Sequence, residues 1–191
     1  MPQQIYIPNI FIQIPRNPIS AVGLPLALGF LSGAASRKAM HSAWFQNLRT
    51  PPGRAPDTVF PIVWPVLYFS MGYASHLAVR ALDTSTIPHH LSNASYGLLL
   101  YYTQLALNVA WGPIFFGARK TGLALIDSTL LACMVFYMTK LLDGPTRHRA
   151  TYCLLPYSAW LAYATYLNGG IWWLNIGRRP PKEEPDSDED I

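Results

Sequence analysis

Two amides and a set of aromatic rings recur at helical spacing in this chain. Gln104, Asn108, Trp111 and Phe115 stand at i, i+4, i+7 and i+11 of the run from Tyr101 to Phe116, so on a helix they form one stripe. Tyr157, Trp160, Ala164, Leu167 and Asn168 repeat the pattern at i, i+3, i+7, i+10 and i+11. In a third run Trp64, Tyr68 and Met71 share a face. The chemistry such stripes offer is non-covalent: rings stack on a flat ligand while a few amides orient its polar groups. The same amides could instead join helices to one another, at about 0.6 kcal/mol per contact on average inside a membrane. Both readings stay open on the residues alone.

Reactive groups are sparse. Asp127 lies deep in an apolar run, where an unpaired carboxylate costs roughly 2.5 to 3.5 kcal/mol, and Arg119 across the short connector is its expected partner. No second carboxylate or base stands at a useful spacing, so the expected role of Asp127 and Arg119 is structural and no catalytic residue is assigned. No metalloprotease helix, nucleophile elbow or phosphate-binding loop is present, which argues against hydrolysis and phosphoryl transfer. His89 and His90 are adjacent without a third ligand nearby, so no metal site is expected. Cys133 and Cys153 fall within apolar runs and do not suggest a disulfide framework. No cofactor is implied.

The elements that would carry these stripes follow from composition. The chain has 191 residues, 51% hydrophobic and 13% charged, against about 25% charged in soluble domains. We expect an all-α membrane protein, a bundle of five transmembrane helices over about 19–36, 58–82, 92–116, 123–142 and 151–174, forming one domain from 19 to 176. Residues 1–18 hold Pro2, Pro8, Pro15 and Pro18, which exclude a continuous helix and predict an irregular segment; they lack the pattern of a cleaved signal peptide. Gly29 and Gly33 allow close helix approach, for packing within the bundle or for a homodimer. The connector 37–57 is proline-rich, and Trp44, Pro51 and Pro56 in it are expected either to anchor at the interface or to form a lid over a cavity mouth. Residues 177–191 form an acidic tail, expected to be disordered, with six carboxylates in the last nine positions.

Residues 1–181 carry 13 basic and 4 acidic side chains. With no nucleic-acid-reading motif, that excess points to anionic lipid headgroups or an anionic ligand. Nine basic residues flank one side of the five spans and five the other, which places the long connector and the C-terminus in the cytosol and the N-terminus on the far side.

Several pieces occur together in one order: Trp44-Phe45-x-x-Leu48 with the proline-rich loop, Trp64 to Tyr68 followed by Met71-Gly72-Tyr73, Gln104 to Arg119 with Asn108, Trp111, Pro113 and Phe115-Phe116, Gly122-x-Ala124-Leu125-x-Asp127, and Pro156-Tyr157-x-x-Trp160 to Leu167-Asn168. In this the chain resembles the tryptophan-rich sensory protein and translocator protein family, TspO/MBR, over about residues 44–175. The resemblance implies a five-helix bundle that binds porphyrins, and in animal members cholesterol and synthetic ligands, usually in the mitochondrial outer membrane. It implies a porphyrin or sterol-like amphiphile as ligand rather than cofactor, bound or transported through the residues of the three stripes. Light-dependent porphyrin breakdown, or a stress-regulated scaffold, are the alternatives it leaves. Where animal members follow the final Leu-Asn with a Tyr and an Arg, this chain has Gly169-Gly170-Ile171-Trp172-Trp173, a departure at the place tied to sterol binding.

Overall fold

The computed structural model describes residues 7–177; the acidic tail lies outside them apart from Gly177. All regular structure among the described residues is helical: α1 (Asn9–Arg16), α2 (Pro18–Met40), α3 (Ala43–Gln46), α4 (Phe60–Thr84), α5 (Pro88–Gly112) running into a π turn (Pro113–Gly117), α6 (Thr121–Asp143) and α7 (Arg149–Asn175). The expected bundle of five helices is thus, among the described residues, seven α-helices, of which five are 23 to 27 residues long. By length and composition α4 and α6 can each cross a membrane, and Asn9–Arg16 with Pro18–Ala34 make a third candidate bent by 104°. The amides and hydroxyls that make α5 and α7 interesting also dilute their hydropathy.

Prolines set the boundaries. Pro88 opens α5 and Pro61 sits in the first turn of α4, where a missing N–H is no loss. Pro113 cannot donate to the turn before it, and the chain widens there: the Ala118 N–H reaches the Pro113 carbonyl at 2.8 Å, one residue beyond α-helical register. Within the segment expected to be irregular, 1–18, Asn9–Arg16 forms α1, and residues 1–6 lie outside the described ones. Pro8 precedes the first residue of α1, and Pro15, in its last turn, has no N–H for the Phe11 carbonyl, which accepts from the Tyr102 hydroxyl instead; the break comes at Asn17-Pro18. What holds so short a helix is docking. Phe11 packs on Tyr102 with ring centroids 4.5 Å apart, and the Tyr102 hydroxyl donates to the Phe11 carbonyl. His76 Nδ1 donates to the Pro15 carbonyl at 2.8 Å, and Arg16 grips both oxygens of Asp83 at 2.7 and 3.0 Å.

The long helices alternate in direction and close a ring: α2 packs on α4, α4 on α7, α7 on α6 and α6 on α5, with α5 meeting α2 more lightly and α4 across the interior. The main core lies inside the ring, with Met71, Leu98, Tyr101, Val135, Leu154 and Tyr157 buried in it, and a second cluster around Phe45, Phe115, Ala124 and Ile171 seals one end. Gly29 settles how one half of its spacing is used. A Cβ there would meet the Tyr68 ring at 2.1 Å, whereas one at Gly33 would meet nothing within 4 Å. Gly29 therefore serves packing inside the bundle.

Candidate functional site

Three helices deliver the predicted stripes to one interior face. On α4, Trp64 stacks on Tyr68 with centroids 5.5 Å apart. The Tyr68 hydroxyl donates to Asn108 Oδ1 at 2.6 Å, Asn108 Nδ2 donates to the Tyr157 hydroxyl at 3.2 Å, and that hydroxyl donates to Gln104 Oε1 at 2.7 Å. Gln104 Nε2 ends the chain on the Met71 sulfur at 3.5 Å. Gln104 and Tyr157 are both fully buried. The amides thus do join helices, tying α4, α5 and α7 together. The chain is also unevenly matched, because a thioether is a weak acceptor and leaves the Gln104 amide with donor capacity to spare.

One turn further along α5, Trp111 Nε1 donates to Asn168 Oδ1 at 3.0 Å, and Asn168 Nδ2 donates to the Thr121 carbonyl at 2.9 Å. Trp111 stacks on Phe115 at 4.8 Å and 18°. Phe115 receives the edges of Trp44 and Phe45, so α3 caps this end of the interior. Trp160 meets Phe60 edge-on at 5.6 Å, and its buried indole N–H has no acceptor among the described residues. Leu167 is buried and Ala164 half-buried on the same helix.

The connector that follows α3 is strapped to α7. Arg49 exchanges backbone bonds with the Asn175 amide at 3.1 and 2.9 Å. The Tyr163 hydroxyl accepts from the Ala55 N–H at 2.7 Å and donates to the Gly53 carbonyl, and the Tyr166 hydroxyl donates to the Pro52 carbonyl. Pro51 is buried against Gly170, where a Cβ would come within 2.5 Å of the ring, while Pro56 is exposed. Sequence reasoning missed these tethers. Their signal is the pair Tyr163 and Tyr166, which flanks the amide stripe of α7 and faces the connector.

Asp127 Oδ2 is buried without a hydrogen-bond partner among the described residues, while the Arg119 guanidinium lies over the Trp44 ring, 5.7 Å from its centroid. Arg119 has left-handed backbone (φ 54) in the turn before α6, which directs it across the end of the bundle instead of down α6.

A model of the TspO/MBR family matches residues 21–174. The chain is 39% identical over 168 residues to a translocator protein homolog of Schizosaccharomyces pombe, covering 87% of this chain and 97% of that one. It is 38% identical to the human translocator protein, covering 88% and 97%, and 32% identical to the tryptophan-rich protein TspO of Chlorobaculum tepidum, covering 81% and 92%.

Proposed function

The chain belongs to the TspO/MBR family of membrane proteins, and from that premise we propose that its long helices form five membrane spans around a site for a flat, amphiphilic ligand of porphyrin or sterol-like chemistry. The observation that carries the reading is the meeting, on one interior face, of aromatic rings from α4, α5 and α7 with donors left over. Among the described residues the Gln104 amide nitrogen has only a sulfur as acceptor, and the Trp160 indole N–H has none. A buried donor without a partner is unfavourable by about 1 to 3 kcal/mol, so a ligand bringing a carboxylate or carbonyl would gain there. Trp64, Trp111 and Phe115 offer ring faces for stacking. The names carried by the relatives fit movement of such a ligand between compartments. The strapped connector, lying over the end sealed by Phe45 and Phe115, would then cover the entrance.

The end that holds this connector also carries Arg37, Arg49, Arg54, Arg119 and Lys120. We place it in the cytosol by the positive-inside rule, with the mitochondrial outer membrane as the location in a eukaryotic cell.

The test is quenching of protoporphyrin fluorescence by the purified protein. Trp160→Ala is expected to weaken binding several-fold, and Trp160→Phe, which keeps a ring but loses the N–H, to weaken it less. Equal affinity in all three proteins would remove Trp160 from the site. Products collected in light and in darkness separate binding from breakdown: an unchanged porphyrin in both supports binding or transport.

A further inference from the structure

The end of the bundle opposite the strapped connector has a concavity that the ligand reading does not use. A pocket of about 200 Å³ opens between the last turns of α4 and the connection from α6 to α7. Arg80 and Thr84 line it from α4, Thr146 and Arg147 from the connection, and Arg149 from the first turn of α7. Among the described residues no carboxylate lines it, and the two acidic side chains at this end are engaged elsewhere. Asp83 is held by Arg16 through two bonds. Asp143 accepts from His148 Nδ1 at 2.9 Å and from the Thr151 hydroxyl.

Three arginines therefore line one recess, Arg80 from α4 and Arg147 and Arg149 from the turn that leads into α7, without a counter-charge among the described residues. Like charges gathered at one recess raise the positive potential there and favour an anion. The connection is shaped around it too: Arg147 and His148 both have left-handed backbone, φ 53 and 65, a conformation that disfavours non-glycine residues. Thr146, whose hydroxyl accepts the Ala150 N–H at 3.1 Å, fixes the start of α7, so the positive end of a 27-residue helix faces the same place. Arginine rather than lysine at all three positions suits an anion with several oxygens, because each planar fork can make two parallel bonds.

We propose that this pocket binds a phosphate group, supplied either by the headgroup of an anionic phospholipid or by a phosphate-bearing solute. Its position at the rim of a membrane bundle, where basic recesses between helices take lipid headgroups, accommodates both sources.

The experiment uses the full chain in detergent with two probes. Native mass spectrometry follows adducts with dioleoylphosphatidylglycerol, with dioleoylphosphatidylcholine as the reference lipid, and calorimetric titration follows inorganic pyrophosphate. At about fivefold per arginine, R80Q/R147Q/R149Q is expected to lose about 100-fold in affinity, while the charge-matched R37Q/R49Q/K120Q at the other end stays within about threefold. Arg147→Gly relieves the left-handed backbone while removing one charge, so it isolates charge from folding and should lose about fivefold. A response to the lipid alone identifies a headgroup site, and a response to pyrophosphate identifies a site for the phosphate group itself. Equal weakening by the two triple variants, or no binding of either probe above the reference, overturns the proposal.

Discussion

Tyr157→Phe is expected to destabilise the detergent-solubilised protein by about 1 to 3 kcal/mol, although it deletes a single oxygen. That hydroxyl is acceptor for Asn108 and donor to Gln104, so its removal strands two amide groups, one of them fully buried. The average membrane hydrogen bond is worth less, about 0.6 kcal/mol; the larger figure applies because both amides are held by their helix in a place without water. A lower midpoint of thermal unfolding, read by circular dichroism, is the expected result, together with weaker porphyrin quenching. The asymmetry between breaking and deleting a polar network gives a sharper check. Adding Tyr68→Phe, Gln104→Leu and Asn108→Leu to Tyr157→Phe, so that no hydroxyl or amide of the network remains, should recover much of the stability and none of the binding. A quadruple variant as unstable as the single one would show that shape, not hydrogen bonding, governs this face.

The second large effect is expected at Gly72. Pro25 has no N–H to offer the Ala21 carbonyl one turn before it in α2, and Gly72 of α4 packs directly on that exposed oxygen. A Cβ at Gly72 would lie 2.5 Å from the Ala21 oxygen and 2.8 Å from the Val22 Cα. Both are backbone atoms, which cannot swing aside as a side chain can. Gly72→Ala therefore has to push α2 away from α4 and is expected to lose about 1 to 3 kcal/mol. Gly33→Ala, whose Cβ would meet nothing, should be neutral or stabilising by about 0.5 to 1 kcal/mol through helix propensity. Comparable losses at both positions would mean that backbone entropy, not close approach, sets the cost at Gly72.

These two positions show how far the residues spoke for themselves. Spacing alone brought Gln104, Asn108 and Trp111 onto one face and Tyr157 and Asn168 onto another, because helical periodicity survives in apolar sequence and polar side chains there must point at protein. Pairing was not legible. Nothing in the spacing says that the Tyr157 oxygen stands between two amides, or that Asn168 turns to Trp111 and to the Thr121 carbonyl, since those contacts depend on the register between helices. Asp127 and Arg119 show the same limit: proximity in sequence does not fix proximity in space, and with left-handed backbone at Arg119 its guanidinium lies over Trp44. α1 was hidden by its prolines, which count against a helix in general but fall at its two ends here. What makes α1 a helix is Phe11 on Tyr102 and Arg16 on Asp83, contacts 91 and 67 residues apart.

The tethers between the connector and α7 have a consequence in time as well as in space. The Arg49 and Ala55 amides are hydrogen-bonded to side chains of Asn175 and Tyr163 rather than to neighbouring backbone, so each exchanges its proton with water only when its tether lets go. Their exchange rates thus report how often this stretch lifts, separately from the unfolding of the helices. Tyr163 stands on the same helix as Tyr157, less than two turns away, so a rotation of α7 that disturbed the buried amides would also register at the Ala55 proton. Exchange at one half-buried amide becomes a clock for events in the interior.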